Sequence, residues 1–266
     1  MSGAPGAPPG RPGAPVNRLA SAPCAGHLRG MRGLLFDKDG TLLDFQASWS
    51  RAYRELSLEL CGGDGEAAMA MLTAGGMDPA TGRCGAGSVL AAGNTIDIAS
   101  CWFPGLAGAE LQTMVARMDA VFYENGIRYS VAVPGARDTL AALAEAGFAL
   151  GVATSDGTAA TRAALAALGL AAYLPHIYGY DSVARPKPAP DIVHAFSGAI
   201  GVPPAGIAVI GDNAHDLEMA RNAGAGAAIG VLTGNSSRTD LAPLADAVLE
   251  SICDLPAWLR ASAAPA

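Results

Sequence analysis

The sequence predicts an α/β fold: a Rossmann-like parallel sheet with helices on both faces, plus a small α-helical domain. Three observations predict it. Short apolar runs alternate with stretches of helical spacing from about residue 131 onward, the rhythm of strand–helix–strand crossovers. A lone apolar run, Leu34-Leu35-Phe36, stands far upstream of the others, across a mainly helical block. Several apolar runs end in Asp, Thr or Ser, at the strand ends where open α/β sheets place their ligands.

Residues 1–30 are dominated by Gly, Ala and Pro, and proline this dense opposes helix and most strands. They contain Arg11, Arg18 and Arg29 but no acid, and they show no apolar signal region. We expect a disordered tail there, with Met31 as the natural start. Residues 31–44 hold the first strand. Trp49, Tyr53, Leu56 and Leu60 then recur at three and four residues and describe one helix face. Further helices are expected near 65–73, 95–102 and 108–123, with a loop of small residues at 75–94. The block 45–130 therefore reads as a helical insertion.

Alternation resumes over 131–262. The spacing predicts helices at 135–146 and 158–168, each followed by a glycine that can close it. Strands are expected at 149–153 and 176–180. A helix at 190–200 starts on Pro190, a residue suited to a first turn. A strand at 207–210, a helix at 214–223, a strand at 227–231 and an edge strand at 247–249 complete the pattern.

With 266 residues, 51% hydrophobic and 15% charged, the chain can bury a sizeable core. A net charge of −7 argues against nucleic acid as the main partner, and no apolar run reaches the roughly 18 residues of a membrane span. The five cysteines are odd in number and scattered, without the spacing of a zinc site. A reducing, cytoplasmic setting and a monomer or homodimer are expected.

The densest signal is Phe36-Asp37-Lys38-Asp39-Gly40-Thr41. Two carboxylates on one loop repel each other unless a cation or a shared proton lies between them. Downstream stand Gly151-Val152-Ala153-Thr154-Ser155, then Lys187 between two prolines, then Gly211-Asp212-Asn213-Ala214-His215-Asp216. These four motifs, in this order, resemble those of the haloacid-dehalogenase-like (HAD) hydrolases, closest to the phosphoglycolate-phosphatase-like branch.

The resemblance implies a fold, a reaction and roles. The helical block becomes a cap inserted after the first motif. Asp37 would be a nucleophile forming an aspartyl-phosphate, and Asp39 the acid and base. Lys187 would neutralise charge on the nucleophile and phosphate, while Thr154 and the loop at Ser155 would bind the phosphate. Mg²⁺ would be held by Asp37, the Asp39 carbonyl and Asp212, with Asp216 outside the first ring of ligands. The substrate would be a small phosphate ester, 2-phosphoglycolate first, with no nucleic acid or membrane as partner. A phosphomutase or a non-catalytic phosphate-binding module remain the alternatives. Lys38 is expected to contribute its backbone, with its charge at the site mouth favouring an anionic substrate. Arg83, Ser88 and Asn94 are expected as substrate-reading residues of the block's loop.

Overall fold

In the computed structural model, residues 30–263 are described. The tail expected at 1–30 lies outside them except for Gly30. The six strands are β1 (Gly33–Phe36), β2 (Ala149–Ala153), β3 (His176–Tyr178), β4 (Ile207–Gly211), β5 (Ala227–Val231) and β6 (Ala247–Leu249). They form one parallel sheet in the order β3-β2-β1-β4-β5-β6.

Strand β1 is central and wholly buried, which is why its sequence is a continuous apolar run instead of an alternating one. Its side chains divide between the two faces of the sheet. Leu34 and Phe36 join one apolar cluster, with Leu140, Leu143, Leu165 and Leu255. Leu35 joins the opposite one, with Ile192, Phe196, Leu217 and Met219. Helices therefore cover both faces. They are α6 (Ala136–Glu145), α7 (Thr158–Ala167), α8 (Asp191–Ile200), α9 (Ala214–Ala223), α10 (Arg238–Leu241) and α11 (Leu255–Ala263), which follow the five helices of the insertion.

Those five lie between β1 and β2: α1 (Phe45–Leu60), α2 (Gly65–Ala74), α3 (Val89–Ala92), α4 (Thr95–Trp102) and α5 (Gly108–Tyr129). Asp44 starts α1 by accepting the backbone N–H of Ala47. Trp49, Tyr53 and Leu56 then point into an apolar cluster with Leu72, Ile98 and Phe122. The aromatic rings of Trp49, Tyr53 and Phe122 stack or meet edge to face, with centroids 5.2–5.9 Å apart, the arrangement the ring quadrupole favours. This cluster shares no residue with the two that sandwich the sheet.

Helix α5 runs to Tyr129, past the expected end at 123. Gly126 does not stop it. A Cβ there would lie 3.7 Å from that of Ala164 on α7, so this buried glycine sits where α5 and α7 pack closely. Strand β3 ends at Tyr178, two residues short of the expectation, because Tyr180–Ser182 turn into a short 3-10 helix. Neither α10 nor α11 was anticipated. Among the described residues, no helix is long and apolar enough to cross a membrane.

Candidate active site

The chain leaves β1 at Asp37, β2 at Thr154, β3 toward Lys187 and β4 at Asp212. Strands β2, β1 and β4 are neighbours, and the order in which strands are added across the sheet reverses between β1 and β4. Such a switch point opens a crevice at the carboxyl ends of the strands. The four expected motifs meet in it, and Asp37, Asp39, Thr154, Ser155, Lys187, Asp212 and Asp216 line one cavity.

At its centre Lys187 Nζ donates to Asp37 Oδ1 at 2.6 Å and to Asp216 Oδ1 at 2.7 Å. It also reaches the Ala153 carbonyl at 3.3 Å. All three side chains are nearly solvent-free. Burial disfavours the Lys187 ammonium, but the two carboxylates overcome this and hold its pKa above the ordinary lysine value. Burial raises Asp37 to about 7, against the pull of Lys187, with Asp216 and Asp39 adding repulsion. Burial, with repulsion from Asp37 and Asp216, also holds Asp212 well above the usual carboxylate range.

Oxygens of Asp37, Asp212 and Asp216 lie within 4.8 Å of one another. Buried carboxylates crowd this way at a cost that a hard divalent cation relieves, so the donor set fits magnesium. The backbone makes room for the cluster. Gly40 has φ +87°, and a Cβ there would stand 2.6 Å from the Asp212 carboxylate. A Cβ at Gly234 would strike the same group. Asn235 N–H donates to Asp212 Oδ2 at 3.1 Å, fixing that carboxylate. Asp216 spends its other oxygen on the Asn213 N–H, closing the capping box that starts α9.

Thr154 Oγ1 accepts the Asp156 N–H at 3.1 Å, which leaves its hydroxyl proton available as a donor. Ser155 donates its hydroxyl to the Ala92 carbonyl at 3.1 Å, tying the loop after β2 to the helical block.

Lys38 departs from the expectation of a cation at the mouth. It is 1% exposed. Its Nζ lies 2.7 Å from Asp39 Oδ2 and 3.2 Å from Asp156 Oδ2, and 5.1 Å from the centroid of the Trp49 ring. Desolvation opposes its charge, and the two carboxylates more than compensate, raising its pKa. The charge is consumed inside the protein. Trp49 donates its indole N–H to Asp39 Oδ1 at 2.6 Å, so both Asp39 oxygens accept from fixed donors. Trp49 was legible in the sequence only as one member of an apolar helix face.

Arg83 is exposed and lines a separate shallow depression with Met77, Asp78 and Thr81, away from this cavity. Asn94 is occupied as the N-cap of α4. Ser88 packs beside Gly76, whose Cβ it would block. The face that the helical block turns to the cavity is instead made by Phe45, Trp49, Tyr53, Leu90, Ile98 and Phe122.

A family model described as haloacid dehalogenase-like hydrolase matches residues 31–224. The chain is 40% identical over 122 residues to "Probable phosphatase IndB" of Dickeya dadantii, covering 45% of this chain and 53% of the relative. It is 33% identical over 149 residues to a phosphoglycolate phosphatase of Rhodospirillum rubrum, covering 56% of this chain and 61% of the relative. The chain thus spans little more than half the length of the first relative and about three-fifths of the second. The crystal structure of CbbY from Rhodobacter sphaeroides in complex with phosphate shares the fold, with TM-score 0.66 at 23% identity over 86% of this chain and 99% of that one. The sheet order, the motif at each strand end and the extent of the family match lead to one conclusion: the chain belongs to the haloacid dehalogenase-like hydrolases.

Proposed function

We propose that this protein is a magnesium-dependent phosphatase that hydrolyses a small phosphate monoester through an aspartyl-phosphate on Asp37. The observation that carries the reading is the Asp37–Lys187 pair at 2.6 Å, set beside Asp212 and Asp216 at the end of the central strand. A nucleophilic carboxylate, a cation against it and a nearby acidic set for a metal are what phosphoryl transfer asks of a protein.

In this reading an Asp37 oxygen attacks phosphorus and the bond from phosphorus to the ester oxygen breaks. Asp39 gives the departing oxygen its proton. A water then attacks phosphorus, Asp39 takes the proton of that water, and phosphate leaves with Asp37 restored. Lys187 offsets negative charge on Asp37 and on the transferred group. The Thr154 hydroxyl and the Ser155 backbone N–H, just past the end of β2, orient the phosphate oxygens. Asp37, the Asp39 carbonyl and Asp212 would hold a magnesium ion, with Asp216 supporting, and the ion would supply charge neutralisation and orientation. Residues 45–130 act as a cap over a core formed by 31–44 and 131–262. The cap delivers Trp49 to Asp39 and excludes water from the reacting groups.

The relatives' names make 2-phosphoglycolate the reference ester. The test is phosphate release from a panel of monoesters with magnesium or with a chelator, with the products analysed. Magnesium-dependent free phosphate is the expected result. Phosphate transferred intact to a second hydroxyl would replace the reading with a mutase. Magnesium and phosphate binding without turnover would replace it with a binding role.

A further inference from the structure

We infer that Lys38 is a positioning residue for Asp39, holding the proposed acid and base from the core side while Trp49 holds it from the helical block. The inference rests on the phosphatase reading and deepens it by adding a residue to its proton-transfer machinery.

Lys38 is 1% exposed. Its backbone is fixed, because its carbonyl accepts the N–H groups of Leu42 and Leu43, each at 2.9 Å. Its Nζ lies 2.7 Å from Asp39 Oδ2 and 3.2 Å from Asp156 Oδ2. Asp156 is anchored in turn. Its other oxygen accepts the Gly157 N–H at 2.8 Å, just before α7, and its own N–H donates to Thr154 Oγ1. One chain of contacts therefore runs from the loop that would bind the phosphate, through Asp156 and Lys38, to the group that would protonate the ester oxygen. It fixes where the acid stands relative to the phosphate.

Trp49 takes the other oxygen, Asp39 Oδ1, at 2.6 Å. Two donors on two oxygens set both the position and the plane of the carboxyl group. Each oxygen has a second lone pair, which leaves room for the proton that Asp39 passes to the alcohol and later takes from water. Trp49 arrives with α1, whereas Lys38 and Asp156 both belong to the sheet domain. An apolar residue could fill the space of Lys38, since exchanging a buried ionic group for apolar side chains is often neutral or stabilising. It could not aim a donor at Asp39.

The test separates esters by their need for a proton. In the first step an Asp37 oxygen bonds to phosphorus, the bond from phosphorus to the ester oxygen breaks, and Asp39 gives that oxygen its proton. An alkoxide needs the proton. Acetate, the leaving group of acetyl phosphate, departs without it. The value of kcat/KM reads the barrier from free enzyme and ester to that departure. It is measured with magnesium at fixed pH for ethyl phosphate, 2-phosphoglycolate and acetyl phosphate, in wild type and in Lys38→Met. The alkyl esters should lose roughly tenfold more than acetyl phosphate, a part of what a placed general acid contributes. A second variant, Lys38→Met with Asp156→Asn, removes the acid that the first leaves unpaired and guards against a failure to fold. It should keep the same selective loss. Equal losses on all three esters, or a selective loss that disappears in the double variant, overturn the positioning role and leave the phosphatase reading standing. Absence of phosphate release from both alkyl esters by the folded, magnesium-binding wild type overturns both.

Discussion

Trp49 reaches from the helical block to donate its indole N–H to Asp39 at 2.6 Å. The two residues are ten apart in sequence, yet one belongs to the first loop of the sheet and the other to the face of α1. The bond therefore couples placement of the proposed acid and base to placement of α1. Trp49→Phe keeps an aromatic ring in the cluster and removes the donor together with part of the indole's bulk. Its kcat should fall roughly tenfold, with KM altered less, as expected when a proton-transfer group loses its orientation. Steady-state kinetics on any accepted ester reads this, and an unchanged kcat would deny Trp49 the role.

Lys38 separates Asp39 from Asp156, both of which it contacts. Lys38→Met keeps an unbranched side chain one atom shorter and abandons two largely buried carboxylates to each other. Removing one partner from a buried ion pair costs about 3–5 kcal/mol. Chemical unfolding at neutral pH should show a loss of that size. A loss below about 1 kcal/mol would mean that the charges were not desolvated.

The Asp37 carboxyl rises from 3.8 to about 7 in the folded protein. Between those values the metal-free folded state keeps a proton that the unfolded state has released. Stability from this group is thus fully present below pH 3.8 and declines as pH rises toward 7. Asp37→Asn lacks the decline. The melting temperature of the metal-free variant, relative to wild type, should therefore be higher at pH 8 than at pH 5. An equal difference at both values would show that Asp37 is not raised.

Arg83 lies on the exposed rim of its own depression. Arg83→Ala should leave kcat/KM unchanged and shift stability by no more than about 0.5 kcal/mol. A selective rise in KM would return Arg83 to the substrate site.

The sheet and the convergence of Asp37, Thr154, Lys187 and Asp212 were legible because each rests on a local pattern. Each of the strands β1, β2 and β4 is a short apolar run, and the residue immediately after each one lines the crevice. Lys38 was not legible, because its fate depends on Asp156, far away in sequence and brought near only by β1–β2 pairing. The length of α5 was missed because the expected helix stopped at 123, while Gly126, buried beside Ala164 of α7, lets it continue. The place of Trp49 and Tyr53 beside the cavity escaped notice for a similar reason. Trp49 and Tyr53 read as one helix face, and nothing in their spacing says that the same face borders a cavity.

The most direct test of the central claim follows the configuration at phosphorus. An accepted ester is made chiral at phosphorus with sulfur and an oxygen isotope, and it is hydrolysed in water labelled with another. Attack by Asp37 followed by attack by water gives two inversions, so the account predicts overall retention. Net inversion would mean that water displaces the alcohol in one step, and it would contradict a covalent role for Asp37.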